Sequence, residues 1–143
     1  MVVSVLGSQL DYSRFIYELL SNRASVASHT LTVHTIGQTV GMVRGEINFL
    51  SGHTLHVFEQ VDFLAQRILK YSYEVYEHDV QLWWYDPMPH PHIPELQSTH
   101  PHHKHTPPDI KHNRIPAPGI TFDQPNLPYL IAEIEAVSAA KRA

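Results

Sequence analysis

All eleven prolines of this 143-residue chain lie at or between Pro87 and Pro128, and none lies before. Proline lacks a backbone donor and fixes its own φ, so it is confined to turns, strand edges and first helical turns. The first 86 residues are therefore free to build regular structure. The span of roughly forty that follows cannot continue as unbroken helix or central strand. A connection of that length inside a compact domain is usually functional or disordered. Apolar anchors recur through it (Ile93, Leu96, Ile110, Ile115, Ile120 and Phe122), so it is expected to lie on the domain rather than leave it.

Before the prolines, "DYSRFIYELLSNR" has the period of a helix, with Phe15, Ile16, Leu19 and Leu20 on one stripe and Ser8 or Asp11 as its cap. Runs rich in β-branched and aromatic residues follow: "SHTLTVHTI", "TVGMVRGEINFL", "HTLHVFEQVDFL", "ILKYSYEVYE" and "VQLWWYD". "LSGH" and "EHD" are short enough for hairpin turns, with Gly52 and Asp79 as turn residues. After the prolines, "PNLPYLIAEIEAVSAAKR" predicts a helix with Pro128 in its first turn and Leu130, Ile131, Ile134 and Val137 on its buried face.

These elements predict one α+β domain over residues 1–143. Residues 1–86 form a helix and a single antiparallel meander of four to five strands, 87–124 a long Pro/His-rich functional loop, and 125–143 a C-terminal helix. Both helices pack on the sheet.

Strand alternation isolates one carboxylate. Leu55, Val57 and Val61 share a side, and Glu59 falls among them, where an unpaired charge is costly. It is expected near the sheet's open end, paired with Arg44 or a loop histidine, or simply solvated there.

The chain has no cysteine, which excludes disulfides, thiol catalysis and cysteine-ligated zinc. The start "MVVSVLGSQLD" lacks a basic n-region and its apolar run is too short for a signal peptide or membrane span, so a cytoplasmic location is expected. Net charge is −4 with histidine neutral, so no whole-protein field draws in nucleic acid, and any RNA contact must come from a local patch.

Twelve histidines leave room for one, since each can gain charge near pH 6 or in a phosphate's field. Seven histidines lie between His90 and His112, with the string "HPHHKH" at their centre. Three readings are open. In an extended segment residues two apart share a direction, so His90/His92, His100/His102 or His103/His105 can each offer two imidazoles to one divalent ion such as zinc, completed by Asp86, Glu95 or Asp109. Without metal, histidine takes a proton from a ribose hydroxyl and returns one to the leaving oxygen, while a neighbouring cation holds phosphate charge. Thirdly, a Pro/His segment can cover a sheet edge in a purely structural role.

The block from Tyr85 to His105 carries a resemblance. Tyr85-Asp86, Pro89-His90 and Pro101-His102-His103-Lys104-His105 follow the order of the TumE family, toxin components of toxin–antitoxin pairs. "LHVFEQVDF" and "LKYSYEVY" also resemble its strands, with Glu59 and Tyr73 at recurring positions, so the likeness runs from about residue 40 to the C-terminus. Trp84 and Pro87 stand where many members have Arg and Asn, and the spacer to the histidine block is longer. A phosphate-binding role of that arginine would pass here to Lys104, Arg44 or Arg114.

The resemblance implies a toxin neutralised by an antitoxin protein with a DNA-binding domain, and RNA is the target expected by analogy with other small sheet toxins. The leading expectation is a metal-independent ribonuclease. His102 and His103 serve as general base and acid, Lys104 stabilises phosphate, Asp86 orients His90 or His105, and Glu59 is a second candidate base. Arg44, Tyr73, Tyr85, Lys111 and Arg114 contact substrate. The alternative is a non-catalytic protein whose histidine loop binds metal or a partner.

Overall fold

The computed structural model describes residues 4–142; residues 1–3 and 143, the outermost of the expected domain, lie outside the described residues. A 3₁₀ turn, Val5–Gly7, leads into helix α1, Gln9–Ser21. The Ser8 hydroxyl accepts from the Asp11 amide at 3.0 Å, so of the two expected caps it is Ser8 that satisfies the helix start. Tyr12, Ile16 and Leu20, four apart, are the buried residues, with Phe15 and Leu19 packed beside them. Each such side chain contributes about 1.5–3 kcal/mol by leaving water.

The sheet has eight strands, not four to five. They are β1 Val26–His29, β2 Thr32–Thr35, β3 Val40–Phe49, β4 His53–Asp62, β5 Arg67–Glu77, β6 Val80–Asp86, β7 His103–His105 and β8 Arg114–Pro116. The spatial order is β1-β3-β4-β5-β6-β7-β8, with β2 also pairing β3 and every pairing antiparallel. The four long strands β3–β6 form the expected meander, with Gly52 (φ +92°) in the β3–β4 turn.

The extra strands have two sources. "SHTLTVHTI" divides into β1 and β2, both on β3, because the chain steps at Thr30 around Gly45. Gly45 has φ +145°, and a Cβ there would lie 2.5 Å from the Thr30 carbonyl oxygen. The proline-rich span supplies the other two. It is no plain loop: a 3₁₀ turn, Pro94–Thr99, is followed by β7 and β8, which extend the sheet past β6.

One face of the sheet carries the core. His53, Leu55, Val57, Glu59 and Val61 of β4 are buried with Tyr71, Tyr73 and Val75 of β5 and Trp83 and Tyr85 of β6. Helix α1 and helix α2, Leu127–Arg142, close this face with Leu127, Leu130, Ile131 and Ile134. The opposite, outer face carries Arg44, Phe58, Trp84 and Asp86 by strand alternation.

Candidate functional site

Strand β7 decides how the histidines are used. Its register pairs Asp86 with His103, Tyr85 with Lys104 and Trp84 with His105. Paired residues share a face, so His103 and His105 join Trp84 and Asp86 on the outer side, and Lys104 joins Tyr85 on the helix side. Both histidines are nonetheless buried, because the segments flanking β7 fold over them.

Three side chains converge there. His103 Nε2 lies 3.0 Å from Asp86 Oδ1, His105 Nε2 lies 3.2 Å from Asp86 Oδ2, and the two Nε2 atoms are 3.2 Å apart. Each ring's other nitrogen faces a backbone carbonyl: His103 Nδ1–H donates to Pro101 at 3.1 Å and His105 Nδ1–H to Ile110 at 2.8 Å. A carbonyl only accepts, so both Nδ1 atoms carry protons and both Nε2 atoms turn inward.

Asp86 also accepts from the Trp84 indole at 2.9 Å and the Met88 amide at 3.0 Å. Burial alone would raise its carboxyl pKa. Where His103 and His105 carry a proton on Nε2, their hydrogen bonds, with those from Met88 and Trp84, outweigh that and hold it far below the usual range. The Trp84 ring stacks on His105 at 4.0 Å, and His90 sits edge-on to His103 at 4.9 Å. Burial, and then the positive charge of Arg114, push the His90 imidazole down. Arg114 itself pairs with His105 across β7 and β8, and among the described residues its buried Nε has no hydrogen-bond partner.

The remaining expected residues fall elsewhere. Lys104, expected beside the histidines as phosphate stabiliser, bonds Glu133 of α2 at 2.9 Å and lies over the Trp83 and Tyr85 rings. The alternation of a strand sends it to the opposite face. His102, expected to work with His103, follows Lys104's side: its Nδ1 lies 2.6 Å from the Tyr71 hydroxyl, and its ring packs on Phe122. Burial lowers its pKa, with His103 adding to the effect. Tyr73 and Tyr85 cannot stack on bases, since they are 0 % and 1 % exposed in the core.

Glu59 is 0 % exposed and near neither Arg44 nor a loop histidine: it accepts from Tyr12 and Tyr73, each at 2.5 Å. The solvated, open sheet end expected at Glu59 is not there, because both helices and the tyrosines enclose it. Arg44 stands on the outer face over Phe58, four strands from β7, about 19 Å at about 4.8 Å per strand. Lys111 and His100 are exposed outside the cluster. Of the three histidine pairs, only His103 and His105 come together with a carboxylate among the described residues; Asp86 is that third donor.

Sequence reasoning missed Glu133, which accepts from Lys104, Trp83 and Tyr85. Its signal was a lone carboxylate between Leu130 and Ile134 on the buried side of a helix.

The fold and site define the class: a small α+β domain with a carboxylate–imidazole centre on the outer sheet face between β6 and β7. The chain belongs to the family described as toxin TumE, which it matches over residues 16–138. It is thus a toxin of a toxin–antitoxin system, with an antitoxin as its partner. No curated protein and no solved structure matches it. Among the described residues, no helix is long and apolar enough to cross a membrane.

Proposed function

We propose that this toxin is a ribonuclease working at the outer face of the sheet. One observation carries the reading: Arg114, with a buried and unpartnered Nε, neighbours the Asp86–His103–His105 centre by direct strand register. A guanidinium whose Nε lacks a partner among the described residues is suited to a phosphate. His90 borders the centre, and its lowered pKa keeps it neutral at pH 7, as a base must be.

In the proposed step the ribose 2′-hydroxyl gives its proton to His90 while its oxygen bonds to phosphorus. Arg114 carries the phosphate charge. The bond from phosphorus to the 5′-oxygen breaks, and that oxygen takes a proton from a water molecule at the Asp86–His103–His105 centre; the hydroxide so formed takes back the proton held on His90. The products are a 2′,3′-cyclic phosphate and a 5′-hydroxyl. Only RNA has the nucleophile, which favours it over DNA.

The test is cleavage of single-stranded RNA by purified protein, beside growth after induction. Wild type is expected to stop growth and leave cyclic-phosphate ends. Arg114→Ala and His90→Ala, at equal soluble level, are expected to cut at least about 100-fold more slowly. A wild type that stops growth yet leaves RNA intact overturns the reading. The antitoxin we propose carries a DNA-binding domain, so a toxin–antitoxin complex should retard DNA from its own control region; a complex without DNA affinity sinks that part.

A further inference from the structure

We infer that Asp86, His103 and His105 form a binding site for one divalent first-row transition ion. The inference deepens the ribonuclease reading by naming what occupies that centre, and rests on it only for the ion's catalytic part. It reverses the metal-independent chemistry expected from the sequence.

The argument begins with protons. Both Nδ1–H groups are committed to the carbonyls of Pro101 and Ile110. In neutral rings both Nε2 atoms are then bare lone pairs, and they face each other and an ionised carboxylate. One added proton cannot repair this. On His103 it serves the contacts to Asp86 and His105 but leaves His105 facing Asp86 at 3.2 Å; on His105 it leaves His103 facing Asp86 at 3.0 Å. Two added protons set two imidazolium ions side by side, with nitrogens 3.2 Å apart. A single cation satisfies all three donors at once.

Geometry agrees. An ion bound at about 2.0–2.1 Å holds adjacent ligand atoms about 3.0 Å apart in an octahedron and about 3.3 Å apart in a tetrahedron. The three separations are 3.0, 3.2 and 3.2 Å. The rings are also oriented as metal-bound histidines usually are, with the distal N–H on a backbone carbonyl and the carboxylate itself hydrogen-bonded by Trp84 and Met88. Two imidazoles and a carboxylate suit zinc, cobalt, manganese, iron or nickel rather than the all-oxygen ions.

Three protein ligands leave positions for water or substrate. The imidazoles are 2 % and 5 % exposed, whereas Asp86 is 28 % exposed, so the open side lies toward Asp86. An ion there polarises its water, which can supply the proton that the leaving 5′-oxygen takes.

The experiment uses the full chain purified with no histidine tag. It measures bound metal by elemental analysis, then titrates metal-stripped protein with Co²⁺, read by its visible d–d absorption, and with Zn²⁺ in competition. Wild type is expected to hold one ion per chain. Asp86→Asn, His103→Ala and His105→Ala are expected to weaken Co²⁺ binding at least 100-fold, while His100→Ala and His112→Ala leave it unchanged. Because a variant can fail by misfolding, wild type carries its own criterion: stripped protein must melt at a higher temperature after one equivalent of Zn²⁺.

Wild type that takes up no stoichiometric ion, or that keeps it when His103 and His105 are both removed, overturns the site. RNA cleavage is scored separately. A chain that binds the ion without cutting RNA keeps this inference and loses the nuclease, and one that cuts RNA in excess chelator without any ion does the reverse.

Discussion

Tyr73 reaches diagonally across the β4–β5 pair to donate its hydroxyl to Glu59, 2.5 Å away and fully enclosed. Tyr12 of α1 donates to the other carboxylate oxygen, and Asn126, just before α2, donates to the Tyr73 hydroxyl at 3.1 Å. One buried carboxylate therefore ties together a helix, two strands and the entry to the second helix. Burial raises the Glu59 carboxyl, and the two tyrosine hydrogen bonds pull it partly back.

Tyr73→Phe leaves a Glu59 oxygen and one N–H of the Asn126 amide without a partner, and should cost about 2–3 kcal/mol. A carboxyl raised in the folded state stabilises below its unfolded value and loses that stability as pH rises through the folded value. Removing a donor to the charged form raises Glu59 further. The loss in urea denaturation should therefore be larger at pH 8 than at pH 5, and an equal loss at both would remove Glu59 from the account.

Lys104 and Arg114 should separate stability from activity. Lys104→Ala breaks the half-buried bond to Glu133 and the contacts with Trp83 and Tyr85, costing about 1–2 kcal/mol. RNA cleavage per folded molecule should not change. Arg114→Ala should show the opposite pattern, and matching loss of activity in both would place phosphate at Lys104 after all.

Mild acid should weaken the fold through His53. Its side chain is 1 % exposed, with Nδ1 2.7 Å from the Ser51 hydroxyl and 3.5 Å from that of Ser138. Burial lowers its pKa; Glu77 opposes this, and Lys141 and His78 add to it. A histidine depressed in the folded state binds fewer protons than in the unfolded chain. Its contribution is complete above about pH 6.5 and is lost as pH falls through the folded value. Unfolding free energy should drop between pH 7 and pH 5, with a shallower drop in His53→Gln; an unchanged slope would clear His53.

Gly45→Ala forces a side chain to within 2.5 Å of the Thr30 carbonyl oxygen at a φ that alanine rarely adopts. Backbone blocks the way, so the cost should reach about 2–3 kcal/mol. Thermal melting is the check, and a shift under 1 °C would mean the β1–β2 step relaxes freely.

Long periodic elements were legible in the sequence. The stripe Phe15, Ile16, Leu19 and Leu20, the four long strands and the face Leu130, Ile131, Ile134 and Val137 all fall in or against the core. Short ones were not. A three-residue strand such as His103–His105 has too little length for alternation to register as a signal, and the surrounding prolines argue for a loop. The pairing of His103 with His105 was one of three that spacing in an extended segment allowed, and Asp86 was one of three carboxylates expected to complete a site; the β6–β7 register made the choice. That Lys104 departs from its two neighbours follows from strand alternation, but the run "HHKH" invites treating its members as one patch. The destinations of His102, Lys104 and Glu59 depended on partners far along the chain: Tyr71, Glu133 and Tyr12.

The alternation within β7 also sets where the chain tolerates insertions and deletions. Lengthening the stretch from Pro87 to His100 leaves the strand's pairing with Trp84, Tyr85 and Asp86 intact. One residue gained or lost inside His103–His105 sends an imidazole to the helix side and the lysine to the outer face. Relatives should therefore differ freely in spacer length while keeping the three-residue frame, and a single-codon insertion after His103 should abolish the centre in a chain that still folds.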